Sequence, residues 1–372
     1  MTGTYLNPNG KGSSGILAPL EVVAQWPKPN YDNPVRRPKI VVPLVCILGT
    51  VMLAIVGART WARFVIQKNG KMDDWFMLLA MVPAIGFAVV VVLATEVYNF
   101  DRHIWDVRPP LYPVQRKIVF LVYLLYVLTS SLIKISVLLF YRRLDSRSIS
   151  RTFRLATHLS ILFILIFLAA FTIVLCTGCQ PLEAFWNQFD VKLQLEGYAY
   201  TCWYNEEADI MAATTISAVQ DAITAGLPTL LYWGLRIPRR QKIALTAVFA
   251  ASYIVVAVCV VRVYVMWEIF NNPLYDGTWT TWPALLLVIL EVNLGAILAS
   301  IPALKVFARH YFEGSVVGGS RDGISRQRAG FRGPSDVVEL SVLSRTLRGD
   351  EEGDLALLDF KKSETRDERL PI

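Results

Sequence analysis

Long apolar runs separated by short polar segments dominate the chain up to residue 305. Seven of them, at about 40–58, 75–95, 118–141, 157–179, 210–235, 243–267 and 281–304, approach the roughly 20 residues that a helix needs to cross a bilayer. Backbone immersed in hydrocarbon has to satisfy its hydrogen bonds within its own segment, so these runs predict helices rather than open strands. The first two carry no charge, whereas four of the others each hold one ionisable residue. The pattern predicts an all-α integral membrane protein, a seven-transmembrane helix bundle spanning 40–305. Neither an internal repeat nor a matched pair of broken spans, as in an inverted-repeat transporter, is visible.

Composition sharpens that reading. Of 372 residues, 54% are hydrophobic and 18% charged, with a mean hydropathy of +0.43; a soluble domain carries about 25% charged residues. Residues 1–39, rich in Pro, Gly and Asn, form an N-terminal segment on the outer (extracellular or lumenal) side without the pattern of a cleavable signal peptide, so the first span serves as the targeting signal. Residues 306–372 are hydrophilic and mixed in charge, which predicts a disordered cytoplasmic tail.

Basic residues in short loops set the orientation. Arg142, Arg143, Arg147, Arg151 and Arg154 follow span three, Arg236, Arg239, Arg240 and Lys242 follow span five, and Arg59, Arg63, Lys68 and Lys71 follow span one. Residues 180–209 hold only Lys192 against six acids. The bias places the N-terminus outside and the tail in the cytoplasm, although Arg36, Arg37 and Lys39 flank the first span on the outer side. The net charge of +7 then reflects topology and anionic lipid, and implies no nucleic-acid partner.

The outer loop between spans four and five is aromatic, with Phe185, Trp186, Phe189, Tyr198, Tyr200, Trp203 and Tyr204. It reads as an interfacial lid or as a cap that recognises a ligand over a pocket. Cysteines collect on this side. Cys176 and Cys179 are three apart at a helix end and poorly placed to bond each other, so a Cys179–Cys202 disulfide is expected, with Cys176 as the rival partner of Cys202. Cys46 and Cys259 lie within spans, where thiols usually pack.

Chemistry is sparse outside the membrane. His103, His158 and His310 fall on separate segments without ligand spacing, so no metal site is expected. Asn9-Gly10-Lys11-Gly12 lacks the full phosphate-loop pattern. Asp73-Asp74 has no third acid at helical spacing and reads as the start of an interfacial helix.

Inside the membrane the spans hold Lys134, Asp221, Arg262 and Glu291, two positive and two negative charges on four different spans. Each costs at least about 2.5–3.5 kcal/mol on insertion scales, and pairing offsets that cost. At 1.5 Å per residue, Asp221 and Glu291 lie roughly 15 Å below the outer surface, Arg262 roughly 7 Å and Lys134 roughly 24 Å. The four form either a folding clamp or a polar pocket for a ligand. Asp221 and Glu291 are the candidate catalytic acids.

Several of these residues also resemble a known family. They are Asp73-Asp74-Trp75, the run from Lys134 to Arg143, Cys179-Gln180-Pro181 ahead of Trp186 and Cys202, Asp221 ahead of Pro228, the Ile237–Ile243 linker, Arg262, and Glu291-Val292-Asn293 ahead of Pro302. Over roughly 45–310 the chain resembles the fungal rhodopsin-like domain family. That family includes the membrane protein of the satratoxin cluster and receptor-like proteins linked to pathogenicity. The resemblance implies a fungal seven-helix protein, often encoded in secondary-metabolite clusters, with no assigned reaction. Unlike the pathogenicity-linked receptors, the chain shows no cysteine-rich domain before the first span.

Retinal is not expected, since a Schiff base needs a free buried amine and span seven has no lysine before Lys305 at its edge. No other cofactor is implied. Tyr141-Arg142-Arg143 stands where a coupling arginine would, and a positive-inside anchor explains it equally well. The leading expectation is a sensor or accessory membrane protein of mycotoxin-type secondary metabolism. Its partners would be the bilayer, a lipophilic small molecule and a cytoplasmic signalling protein reached through the tail. One alternative is a membrane enzyme, a cyclase or epoxide-opening catalyst, using Asp221 or Glu291 as a neutral acid. The other is a transporter or export partner.

Overall fold

A computed structural model describes residues 18–143, 151–232 and 239–308, without side-chain detail for 20, 143, 228–249 and parts of 302–308. The expected tail, the phosphate-loop-like Asn9–Gly12, His310, Arg147 and Arg236 all lie outside the described residues. Seven helices among the described residues are long and apolar enough to cross a membrane. They are α1 (Val41–Trp61), α2 (Met72–Glu96), α3 (Tyr112–Arg143), α4 (Arg151–Thr177), α5 (Glu206–Tyr232), α6 (Arg239–Phe270) and α7 (Gly277–Ala308).

Consecutive helices pack side by side, and α7 closes the ring against α1. Helix α3 runs through the middle and touches α5 and α7 as well as its neighbours α2 and α4. The largest apolar cluster forms where α1, α2, α3 and α7 meet, around Val56, Met77, Phe87, Val91, Val127, Ile289 and Ala296. Large apolar side chains such as Leu79, Val82, Leu155, Ile166, Ile254 and Val260 remain exposed. In water such a surface would aggregate; in hydrocarbon it is solvated by lipid chains.

The first span differs from the sequence expectation at its end. The helix does not stop at residue 58 but runs through Arg59 and continues as a π-helical turn over Ala62–Ile66. Arg59 and Arg63 are therefore bundle residues, not loop residues. The reason is their partners. Asp73 and Asp74, expected as the start of an interfacial helix, do lie in the first turn of α2, but they are 3% and 2% exposed and hold Arg59 in place. Asp74 also begins α2 by accepting the backbone N–H of Lys71 at 3.3 Å.

One end of the bundle carries a folded cap. It begins at strand β1 (Cys179–Gln180), which pairs antiparallel with β2 (Thr201–Cys202), and the two cysteines facing each other form a disulfide. Cys176, the rival partner, is free and exposed. Two short helices, Ala184–Asn187 and Val191–Leu195, fill the loop closed by the bridge, whose cysteines are 23 positions apart. Gly178 supports the hairpin through lack of a side chain, since a Cβ there would meet the Tyr204 ring and stand 2.6 Å from the Val174 carbonyl.

The same end gathers the N-terminal segment, the α2–α3 loop and the α6–α7 loop. His103 stacks between Trp105 and Trp279, with ring centroids 4.6 and 4.0 Å away, and its Nδ1 lies 2.5 Å from Asp276. Arg37 sits 3.8 Å above the Trp279 ring. Arg36 approaches Asp101 at 3.9 Å and Lys39 approaches Glu96 at 3.5 Å. These partners bear on the one conflict in the charge pattern, because the basic residues ahead of α1 have acids and rings to face at this end.

Candidate functional site

Lys134, Asp221, Arg262 and Glu291 project from α3, α5, α6 and α7 into one buried network. Lys134 Nζ stands 3.0 Å from Asp221 Oδ2, and Arg262 Nη1 stands 3.3 Å from Glu291 Oε2. The long basic side chains close the depth differences expected from helix rise, Lys134 from one side and Arg262 from the other. Two cations and two anions leave the group neutral, which removes most of the cost of holding ions away from water.

Tyr126 and Ser217 join the two pairs. Lys134 Nζ donates to Ser217 Oγ at 2.9 Å and to the Ser217 carbonyl at 3.1 Å. Tyr126 donates to Glu291 Oε1 at 2.8 Å, and its oxygen lies 2.7 Å from Ser217 Oγ. The phenol has one proton and gives it to Glu291, so Ser217 must donate to Tyr126. The result is a directed chain of hydrogen bonds from Lys134 through Ser217 and Tyr126 to Glu291, in which each bond polarises the next. Arg262 also lies over the Tyr126 ring at 4.6 Å, adding a cation–π contact to the same phenol.

The network is not saturated. Among the described residues, Arg262 Nε and Nη2 find no hydrogen-bond acceptor, and neither amide atom of buried Gln220 finds a partner. Such groups are uncommon in protein interiors. Cys259 Sγ lies 3.4 Å from Asp221 Oδ2. Asp221, Cys259 and Glu291 thus offer three ligand atoms within 4.8 Å of one another. Each carboxylate already faces a cation, so a divalent ion there would unbalance a neutral group rather than complete one.

A second ionic cluster lies at the end of the bundle away from the cap. Arg59 donates to Asp74 and Asp73, each at 3.1 Å, and to the Ala299 carbonyl at 2.8 Å. Ser136 Oγ donates to the Asp73 carbonyl at 2.6 Å. Arg59 therefore links α1, α2 and α7, and Ser136 adds α3. Phe140 offers its ring to both Arg59 and Arg63, at 5.8 and 6.0 Å.

A third pair anchors the cap. Arg116 on α3 binds Glu206 at the start of α5, and its guanidinium lies over Phe185 and Phe189 at 4.7 and 4.5 Å. Phe185 is buried and meets Phe120 edge to face. Burial, reinforced by Glu206, pushes the Tyr204 phenol upward, so it stays un-ionised across the physiological range. Of the aromatic cap residues, Phe185 and Tyr200 are buried and Trp203 is exposed, so the loop is a packed lid with one ring left outside.

The four mid-span charges stood out in sequence because each interrupts an apolar run. Tyr126, Ser217 and Gln220 were missed, because hydroxyl and amide side chains are unremarkable within a span. Arg59, Arg116 and Glu206 were missed because they sit where a span meets a loop, and a basic or acidic residue is ordinary there.

These features define a seven-helix integral membrane protein with buried ion pairs and a disulfide-closed cap. Its particular affiliation comes from comparison with known proteins: the Fungal rhodopsin domain family matches residues 58–310, and the chain belongs to that family. It is 26% identical over 290 residues to "Receptor GIN3" of Arthrobotrys oligospora, across 74% of this chain and 64% of that protein. It is 27% identical over 281 residues to a "SAT4 family membrane protein" of Emericella nidulans, across 75% of this chain and 64% of that one. The chain thus spans just under two thirds of the length of these relatives. No solved structure matches.

Proposed function

We propose that the chain is a membrane sensor of receptor type, with the cap outside and the tail in the cytoplasm. It responds to a lipophilic small molecule and serves fungal secondary metabolism. The observation that carries this reading is the incomplete hydrogen bonding of the central network. A clamp selected only for stability gains by satisfying every donor, whereas Arg262 keeps two buried guanidinium nitrogens without acceptors among the described residues. A network of that kind can hold two arrangements of similar energy, and a ligand shifts their balance by binding one better. The four charges lie on four helices, so a change of partner moves helices against one another. A relative named as a receptor supports the same reading.

The enzymatic alternative asks for a carboxylic acid kept neutral in an apolar site. Asp221 and Glu291 are each engaged by a cation within 3.3 Å, and Glu291 also accepts from Tyr126, so neither stands alone in an apolar site, which speaks for the sensor. The test uses a deletion strain given the lipophilic fraction of conditioned medium from its parent. The sensor reading expects the transcriptional response to disappear while added compounds are metabolised as in the parent. Accumulation of an unconverted precursor in the deletion strain would instead establish the enzyme.

A further inference from the structure

At the cap end of the bundle, three segments far apart in sequence meet around one imidazole. The Arg37 N–H donates to the Asp101 carbonyl at 2.7 Å, which joins the N-terminal segment to the α2–α3 loop. Trp26 Nε1 donates to the Leu274 carbonyl at 2.8 Å, and Thr278 Oγ1 to the Arg102 carbonyl at 2.8 Å, which brings in the α6–α7 loop. A row of rings runs through the junction. Trp26 meets Trp105 at 6.2 Å, and the His103 ring lies nearly parallel to both Trp105 and Trp279, at 6° and 17°.

His103 is the member of this row whose charge changes near neutrality, because an imidazole ordinarily titrates between about pH 5 and 8. Its side chain is 22% exposed, so it exchanges protons with water while indoles cover its faces. Asp276 is 5% exposed and divides its oxygens between His103 Nδ1 at 2.5 Å and the Ile104 N–H at 2.9 Å. A neutral imidazole can still donate from Nδ1, so that bond alone does not separate the two forms. The surroundings do. A cation within about 6 Å of an indole face is attracted by the ring quadrupole, and the bond to the carboxylate becomes charge-assisted.

The other charges here are engaged elsewhere. Arg37 also lies over Trp279 and opposes a second cation there, but its guanidinium is shared with the Trp282 ring and the Trp279 carbonyl, whereas Asp276 bonds the imidazole directly. Asp101 faces Arg36 and Arg102, and Asp106 accepts the Asn30 N–H at 2.8 Å.

We propose that His103 and Asp276 form a pH-dependent latch between the α2–α3 and α6–α7 loops, tight when the imidazole is protonated. As pH rises through the imidazole titration, the cation–π and charge-assisted contributions disappear. Stacking and a neutral hydrogen bond remain, so the latch loosens without breaking. Helix α7 begins at Gly277, directly after Asp276, and carries Glu291 into the central network. Protonation on the cap side therefore fixes the outer end of α7 against the α2–α3 loop. The latch stands on contacts outside that network and does not depend on the sensor reading.

The Ile104 amide is a direct reporter, since it closes on Asp276. The experiment is hydrogen–deuterium exchange of the full chain in phosphatidylcholine nanodiscs at pH 5.5 and 7.5, with labelling times scaled for intrinsic exchange. Protection of Ile104 is expected to be about fivefold greater at the lower pH, the worth of one exposed cation–π contact. The Trp203 amide, bonded to the Gly178 carbonyl in the disulfide hairpin, should not change. His103→Phe keeps a ring in the stack without a titratable charge and should abolish the difference; His103→Gln serves as a second uncharged variant. Asp276→Asn should reduce it. Equal protection of Ile104 at the two pH values in the parent, or a difference that survives undiminished in either His103 variant, overturns the latch.

Discussion

Tyr126 donates its phenolic proton to Glu291 across 2.8 Å, and in doing so connects two ion pairs that would otherwise be separate. On one side of it Lys134 meets Asp221, and on the other Arg262 meets Glu291. Ser217 completes the link by standing between Lys134 and Tyr126. The chemistry of the bundle centre therefore belongs to one network over α3, α5, α6 and α7.

The Lys134–Asp221 pair should behave as a unit. Asp221→Asn alone leaves a buried ammonium without its counter-charge, a loss of about 3–5 kcal/mol. Adding Lys134→Met should recover most of the folded yield measured by fluorescence-detected size exclusion in detergent. A double variant no better folded than Asp221→Asn would contradict the pairing.

Arg59 should be as important to folding as any mid-span charge. Arg59→Met leaves Asp73 and Asp74 buried together without their shared cation, again about 3–5 kcal/mol. Arg59→Lys should rescue only in part, since one ammonium cannot reproduce the guanidinium's bonds to two carboxylates and the Ala299 carbonyl. Thermal melts of the three proteins in one detergent decide this, and equal melting temperatures would refute it.

The cap should depend on its disulfide and on Gly178. Cys179→Ser removes a cross-link worth about 3 kcal/mol in the chain-entropy model, whereas Cys176→Ser removes nothing that the fold uses. Gly178→Ala forces the hairpin apart against a backbone carbonyl that cannot move aside. Protease sensitivity within 180–200 should rise for Cys179→Ser and Gly178→Ala alone. Identical digestion of all three variants would show that the cap is held by Arg116 and its aromatic neighbours instead.

Orientation can be read directly. A reporter inserted near Lys192 is expected outside or in the lumen, and reporters after Arg147 or Arg240 in the cytoplasm, from the distribution of basic residues between loops. Cytoplasmic labelling at Lys192 would invert the topology.

The sequence was most legible where a residue contradicts its surroundings. A lysine among apolar neighbours at position 134 or a glutamate at 291 can only be a buried charge, and both are. Which charge meets which was less legible, because pairing depends on how each helix is rotated, and periodicity is weak in helices that are apolar all round. At span ends the signal fails for another reason. Arg59 among basic loop residues and Glu206 among acidic ones match the local composition, and only the fold reveals that each is buried against a partner on another helix. Asn293 stands in the family motif, and only the fold shows that its oxygen is buried without a donor among the described residues.

If the buried network transmits a signal as well as holding helices together, Tyr126→Phe should separate the two roles. The substitution keeps the ring over which Arg262 lies and leaves both ion pairs intact, but removes the hydroxyl that joins them. It should cost about 1.5–3 kcal/mol as a lost bond to a charged group. The measurement is the transcriptional response to the lipophilic conditioned-medium fraction, in a deletion strain complemented with the variant at parental membrane levels. At that matched abundance the response should be lost or greatly weakened. A full response at parental abundance would contradict it and leave the network as a clamp.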